Sequence, residues 1–252
     1  MNAIATRPAT LRSLRAVVAY TLRSALPGRR WLGALIPAAT AILFGLIATT
    51  VNDTRDFGFV GVAADSLYVI VLPITALVIG DAVLGAEVRS GTFAFTWMSP
   101  VPTWQITVGR WLGGTIAAAS TIAVAFGLSA VVAGAPELAG AAATAGAFGA
   151  AAYVAVFIAI GCITKRAAVW SIAFVILVEQ LIGGALSGVA QLSSLWESRA
   201  AFIGLSDVRP DLEREGIPHG TDALVRLVLI TAVALVLANW RLRTLKLTGS
   251  SD

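Results

Sequence analysis

Long apolar runs, separated by short groups of charged and turn-forming residues, dominate the pattern along this chain. An α-helix needs about 20 apolar residues to cross the hydrocarbon core of a bilayer. Runs near this length predict six membrane-spanning helices, at about 32–52, 66–84, 109–133, 138–164, 167–187 and 222–241. The pattern therefore predicts an all-α membrane protein whose residues 1–252 form one transmembrane domain.

The segment before the first run, residues 9–26, has an amphipathic pattern at helical spacing. Its larger aliphatic side chains share one helical face: Leu11, Leu14, Val18 and Leu22. We expect a helix that lies in the membrane interface, where three arginines reach anionic headgroups: Arg12, Arg15 and Arg23. The alternative is a helix that packs only on the protein.

Composition agrees with a lipid environment. Hydrophobic residues make up 58% of the chain, charged residues only 13%, and the mean hydropathy is +0.85. A soluble domain has about 25% charged residues, and a water-soluble fold of this length buries only roughly three quarters of its surface. Lipid must therefore surround most of this chain.

Basic residues predict the orientation of the bundle, because short cytoplasmic loops are enriched in lysine and arginine. Placing the N-terminus inside puts most of the 18 basic residues into inner segments. This predicts a multi-pass protein of the plasma (inner) membrane with both termini in the cytoplasm. The net charge of +4 then reflects topology, so nucleic acid is not expected as a partner.

The sequence has few residues that could support catalysis. It contains one cysteine, Cys162, and one histidine, His219, which we expect to be exposed. Together with one acid inside the spans, they cannot assemble a convincing nucleophile–base pair or metal site. The G-x-x-x-x-G-K-[ST] loop that cradles nucleotide phosphates is absent from the sequence. We therefore expect no enzymatic activity and no bound metal.

The sequence EVRSGTFAFTWMSPVP interrupts the apolar pattern between the second and third runs. Gly91 can end one helix in the left-handed conformation, and Thr92 can cap the next. Phe93 and Trp97 share a face of that second helix, and Pro100 ends it. We predict a short amphipathic helix with an aromatic face, on the cytoplasmic side of the membrane.

These residues resemble the signature of the ABC-2 type permeases, the membrane subunits of many ATP-driven exporters. That family has an acidic residue, then Gly-Thr, then a proline, and then a glycine followed by a basic residue that opens the third span. This chain has the matching residues in that order: Glu87, Gly91, Thr92, Pro100, Gly109 and Arg110. It departs at Ala94, where the family often has an acid. With the predicted spans and the N-terminal helix, the resemblance covers essentially the whole chain.

The resemblance implies an ABC-2, type V exporter-like permease fold, in which residues at about 85–99 form a coupling helix on a separate ATPase. The residues implied to contact that ATPase are Glu87, Arg89, Ser90, Gly91, Thr92, Phe93, Phe95, Trp97 and Pro100. The outer segment 188–221, before the last span, is implied to contain re-entrant helices. The alternative for the helix at 85–99 is contact with lipid headgroups alone.

The partners implied by the resemblance are two copies of an ABC ATPase, a second permease copy and membrane lipid. The second permease would form a homodimer, or a heterodimer with a related chain. ATP and Mg would be bound by the ATPase, so no cofactor is expected in this chain. The implied function is export of a hydrophobic or amphipathic substrate across the bacterial plasma membrane. The alternative is an ATP-independent six-span channel or anchor protein, and the sequence leaves the identity of the cargo open.

Glu179 is an acid inside the fifth predicted span, and an intramembrane acid is a functional hypothesis by default. It could contact a cationic substrate group or relay a proton. Equally, it could pair with Gln180 or with an arginine of the outer segment and serve packing only.

Glycines at helical spacing predict places where two helices approach closely. The glycines concerned are Gly109, Gly113, Gly146, Gly149, Gly184 and Gly188. Close packing within the chain is the simplest interpretation, and a contact with a second permease copy is also compatible with the pattern.

Overall fold

The computed structural model describes residues 10–25, 31–51, 55–85, 98, 101–164 and 166–244, and every regular element in these ranges is helical. The N-terminal amphipathic segment forms α1 (Thr10–Ala25), and the first apolar run forms α2 (Trp31–Ala48). The later helices are α3 (55–85), α4 (Thr103–Ala133), α5 (Ala139–Ile163), α6 (Ala167–Ala185), α7 (Ser187–Ala190), α8 (Ser194–Ser206) and α9 (Thr221–Thr244).

Helices that are long and apolar enough to cross a membrane confirm the predicted class of protein. There are five among the described residues: Arg55–Val83, Thr103–Ala133, Pro136–Ile163, Ala167–Ala185 and Thr221–Thr244. This is the architecture of a multi-pass membrane protein. The remaining predicted span corresponds to α2, which ends at Ala48 rather than near residue 52 and whose described apolar part is shorter. A sixth crossing therefore stays a prediction.

α3 begins at Arg55, well before the second predicted span near residue 66, because a charged residue does not end this helix. α4 begins at Thr103, and the third predicted span, from about 109, lies within it. Asp65 lies in the middle of α3, where its exposed carboxylate forms an ion pair with Arg199, at 3.1 Å between Nη2 and Oδ1. A charge that has a partner at the protein surface is compatible with a continuing helix.

Two of the long helices contain π-helical turns, which the apolar pattern did not predict. In α3 they cover Ala63–Val71 and Asp81–Gly85, and in α6 they cover Phe174–Ile182. π-helical turns are rare and are frequently found at functional sites. The turns in α6 contain Glu179.

α5 lies at the centre of the bundle and packs against α3, α4, α8 and α9. Its alanine- and glycine-rich sequence lets these neighbours approach closely. A Cβ atom added at Gly146 would lie 2.9 Å from side-chain carbons of Ile122 and Phe126. One added at Gly149 would lie 2.8 Å from Leu72. The predicted close contacts at these two glycines are confirmed.

α1 packs along the first turns of α4, at the two glycines there. A Cβ added at Gly109 would lie 2.7 Å from Cγ1 of Val17, and one at Gly113 would lie 2.6 Å from Cβ of Thr21. Both distances are too short for real carbon atoms, so the predicted close contact is confirmed. α1 meets these glycines with Val17 and Thr21, and Leu14 of the predicted aliphatic face lies beside them, with Cδ1 3.4 Å from a Cβ added at Gly109.

The predicted close contact at Gly184 and Gly188 was wrong for the helices of this chain. Both residues are exposed, and a Cβ added at Gly188 would meet no atom of the described residues within 4 Å. The tight position is the neighbouring Gly183, where a Cβ would lie 3.0 Å from Nε1 of Trp196. Periodicity identified the right part of α6 but not the face that its neighbour covers.

Aromatic rings anchor the outer helix α8 in the core. Phe202 of α8 stacks on Tyr68 of α3, with ring centroids 5.1 Å apart. Tyr68 also meets Phe126 of α4 edge to face at 5.2 Å, and its hydroxyl donates to the carbonyl oxygen of Ala142 at 2.9 Å. The apolar first part of the outer segment is therefore a packed helix and not a free loop.

Replacing Gly113 by alanine should lower the free energy of unfolding by about 1–3 kcal/mol, because the added methyl group overlaps Thr21 and forces α1 away from α4. The matched control is Gly127→Ala in the same helix, where a Cβ would have no atom nearer than 3.8 Å. That substitution should be neutral or stabilising by up to about 1 kcal/mol, from helix propensity. Thermal unfolding in detergent micelles measures both, and equal effects would contradict the close contact.

Candidate functional site

The residues implied to contact an ATPase lie outside the described residues. They are Glu87, Arg89, Ser90, Gly91, Thr92, Phe93, Phe95, Trp97 and Pro100. The structure does describe the two helices between which they lie, α3 and α4.

Arg110 joins these two helices. It lies in α4 with only 2% of its surface exposed, and its Nη1 donates to the carbonyl oxygen of Val83 in α3 at 2.7 Å. Its guanidinium also lies over the ring of Tyr20 in α1, 5.1 Å from the ring centroid. A charge-assisted hydrogen bond and a cation–π contact both favour a buried arginine. Arg110 therefore ties α3, α4 and α1 together.

The three arginines expected at the membrane interface are exposed on α1: Arg12, Arg15 and Arg23. Leu11, from the predicted aliphatic face, is also 70% exposed. The surface that α1 leaves open thus combines cations with an apolar side chain, although the same helix packs on α4. Contact between these arginines and lipid headgroups stays a prediction.

Glu179 of α6 lies in a fully buried position between three helices. Its Oε2 accepts a hydrogen bond of 2.6 Å from the hydroxyl of Tyr153 in α5. Its Oε1 accepts from Oγ of Ser193 at 3.0 Å and from the backbone N–H of Leu195 at 3.3 Å, at the start of α8. The indole N–H of Trp196 donates to the carbonyl oxygen of Glu179 at 2.8 Å.

The Glu179 carboxyl group supplies hydrogen-bond acceptors at the N-terminus of α8. The first N–H groups of a helix have no partner within the helix, and acceptors placed there are stabilising. Ser193 caps α8 by accepting from the backbone N–H of Trp196, and the Glu179 carboxyl group lies beside it. One side chain therefore joins a span, the central helix and the outer helix.

The expected packing partners of Glu179 are not the ones found. The Gln180 side chain donates to the carbonyl oxygen of Val69 at 3.3 Å. The outer arginine that reaches α6 is Arg214, which donates to the backbone oxygens of Gly183 and Gly184 at 2.9 and 3.0 Å. Substrate contact and proton relay at Glu179 stay predictions.

Glu197 in α8 is a second buried carboxylate, and sequence analysis did not identify it. Its side chain is 0% exposed, and neither oxygen has a hydrogen-bond partner in the described part of the chain. Nη1 of Arg226 in α9 lies 3.8 Å from Oε1 of Glu197 and donates to Oε1 of Gln191 at 3.0 Å. Burial raises the pKa of Glu197 to about 7, and the nearby Arg226 opposes this rise.

The apolar pattern did not point to Tyr153 or Glu197 as site residues, and it gave no partner for Arg110 or Arg226. Tyr153 is one phenol in a long apolar run, and such residues are usually counted as hydrophobic. Arg226 carried a usable signal, because a charge just inside an apolar span requires a partner. Its partner Glu197 lay in the outer segment, where re-entrant helices were expected but no buried charge was identified.

The remaining candidate residues, Cys162 and His219, are packed within the chain. Cys162 is a buried free thiol. His219 is partly buried rather than simply exposed, with Nδ1 3.7 Å from the carboxylate of Glu213. Among the described residues, no group of three or more His, Cys, Asp and Glu side chains could hold a metal ion.

Two buried acids, Glu179 and Glu197, and the Arg110 contact are therefore the main candidate sites among the described residues. The first two lie where the outer helix meets α5, α6 and α9, and the third joins α3, α4 and α1. In comparisons with known proteins, no family model and no curated protein matched the chain.

Proposed function

We propose that this chain is the permease subunit of an ABC-2 type exporter. It would move a hydrophobic or amphipathic substrate across the bacterial plasma membrane, with ATP hydrolysed by a separate ATPase subunit. Five apolar helices long enough to span a membrane support a membrane role. The motif from Glu87 to Arg110 supports the choice of family.

The observation that carries this proposal is the contact between Arg110 and Val83. A coupling helix must pass movement to the spans on either side of it, so its two ends must be joined stiffly to the bundle. The 2.7 Å hydrogen bond ties the end of α3 to the start of α4, and the Tyr20 contact adds α1. Force applied to the segment 86–100 would then move three helices together rather than bend a loose loop.

Two copies of the chain with two ATPases would form the working exporter. ATP binding would close the ATPases, their closure would push both coupling helices, and the spans would rearrange to release cargo outward. A channel or membrane anchor has no need of an amphipathic cytoplasmic helix between clamped ends. That alternative remains the second candidate, and the following experiment separates the two.

The test begins with purification of the tagged chain from its native membranes, followed by reconstitution into vesicles. We expect a co-purifying ATPase with a Walker loop, and ATP-dependent transport of a fluorescent amphiphile. Alanine at both Phe93 and Trp97 should reduce transport per ATP hydrolysed by about ten-fold, because large aromatic residues supply most of an interface's binding energy. Gly91→Pro should have the same effect.

The matched control is Phe148→Ala, which removes an aromatic ring that is 38% exposed on α5. This variant should keep normal coupling. Transport by the purified chain alone, without any ATPase, would favour the channel alternative. Unchanged coupling in the double alanine variant would remove the proposed role of the aromatic residues.

A further inference from the structure

A groove of about 680 Å³ lies between α5, α6 and α9. Its wall on α9 is formed by Leu229, Val233, Leu237 and Trp240, each more than half exposed. Phe174 of α6 and several residues of α5 form the other sides. Its volume lies within the range of about 300–1,000 Å³ that is typical of ligand pockets.

Arginines stand at both ends of this apolar groove. Arg226 and Gln191 line one end, and Arg241 lines the other. A helix rises about 1.5 Å per residue, so the two arginines lie roughly 22 Å apart along α9. That distance is most of the hydrocarbon thickness of about 30 Å. The groove therefore runs along α9, and a membrane crossed by this helix would have a cation near each surface.

The charge of the lining is positive, because it includes two arginines and no acidic residue. Nη1 of Arg226 is used by Gln191 and Glu197, while its Nε and Nη2 form no hydrogen bond within the described residues. Arg241 is half-buried at the groove, and its terminal nitrogens form no hydrogen bond within the described residues. Both guanidinium groups thus keep donors for an anion. Phosphate is well suited to such donors.

The nearby carboxyl group of Glu197 does not remove the preference of the groove for an anion. It lies 3.8 Å from Arg226 but does not line the groove. Because burial brings its pKa to about 7, a substantial fraction of the carboxyl group is neutral near physiological pH. Arg226 itself stays charged, so the net charge at this end of the groove is positive whenever the Glu197 carboxyl group is neutral.

We infer that this groove binds an anionic phospholipid, with the phosphate at Arg226 or Arg241 and the acyl chains along the apolar wall. The inference rests on the proposed function and gives it a substrate class, an anionic membrane amphiphile. A second copy of the chain is a less suitable occupant. Two-fold pairing of this groove with itself would bring arginines together without an acid lining either groove.

The test is native mass spectrometry of the purified full-length chain, titrated with dioleoyl phosphatidylglycerol or dioleoyl phosphatidylcholine. We expect tighter binding of phosphatidylglycerol. Arg226→Gln and Arg241→Gln should each weaken it by about five-fold, the effect of one cation near an anionic lipid. Arg209→Gln is the matched control, because Arg209 pairs with Asp211 at 2.6 Å and does not line the groove. It should bind like the wild type.

A second pair of variants tests the apolar wall without changing charge. Val233→Trp fills the groove and should displace the lipid. Val236→Trp, at a residue 67% exposed on α9 outside the groove, should not. Equal affinity for the two lipids, or unchanged binding in both the arginine variants and Val233→Trp, would overturn the inference. The inference would also be overturned if the wild-type chain formed a dimer that Val233→Trp dissociates while lipid binding persists.

This experiment contains no ATPase, so its failure is separate from a failure of the proposed function. Loss of the lipid preference would leave coupling through the segment 86–100 untouched. Conversely, if the chain binds phosphatidylglycerol but recruits no ATPase, the lipid-binding groove is supported and the exporter proposal is wrong.

Discussion

Replacing Glu179 with leucine should lower the free energy of unfolding by about 3–5 kcal/mol. The substitution leaves the Tyr153 hydroxyl, the Ser193 hydroxyl and the Leu195 N–H buried without their acceptor. Each unsatisfied buried group costs about 1–3 kcal/mol, and part of this cost is recovered when hydroxyls rotate to other acceptors. Unfolding of the chain in mixed micelles, followed by tryptophan fluorescence, measures the difference.

Two controls show whether the loss comes from the hydrogen bonds. Glu179→Gln keeps the size of the side chain and one acceptor oxygen, so it should cost only about 1 kcal/mol. Gln180→Leu removes a single 3.3 Å hydrogen bond from an exposed neighbour and should cost less than about 1 kcal/mol. A stability loss in Glu179→Leu no larger than in Gln180→Leu would show that the carboxyl group does not hold α8.

The same glutamine variant tests the functional alternatives for Glu179. A cationic substrate contact or a proton relay needs a group that can carry charge, whereas a structural acceptor does not. If Glu179→Gln exports cargo at the wild-type rate with the same pH dependence, both functional alternatives are wrong. The fully buried position and the neutral donors around it favour that outcome.

The class of fold could be predicted from the sequence because lipid requires long apolar helices. The same reasoning found the contact of Gly109 and Gly113 with α1, since small residues at one spacing leave room for a neighbouring backbone. It failed at Gly184 and Gly188, where the pattern is identical but no described residue packs closely on that face. A spacing shows that a close approach is allowed, and tertiary structure decides whether it occurs.

The polar sites were only partly predictable, for a similar reason. Glu179 stood out because an acid in a span is costly, but its partners come from α5 and α8, residues 14 to 26 positions away in sequence. The π-helical turns around it leave no signal in apolar periodicity. Glu197 was hidden among charges of the outer segment, and only the fold shows that it is buried against Arg226.

The stability of the folded chain should fall as the pH rises from about 5 to about 8, and Glu197 should account for most of the change. Burial raises its pKa from an ordinary value of 4.5 to about 7. The folded state therefore binds this proton more tightly than the unfolded state does. The resulting stabilisation is complete below pH 4.5 and is lost as the pH rises through about 7. The difference between these pKa values corresponds to on the order of 3 kcal/mol.

Variants of the two partners in this ion pair identify the source of the pH dependence. Glu197→Gln should flatten the profile, so that it exceeds the wild type in stability at pH 8 but not at pH 5. Arg226→Gln should move the wild-type transition to higher pH, because the arginine normally lowers the pKa of Glu197. His219→Gln tests the nearest titratable alternative in the outer segment and should leave the slope in place. A slope that survives in Glu197→Gln would mean that the carboxylate is solvated, and that α8 is held to α9 by packing and not by this ion pair.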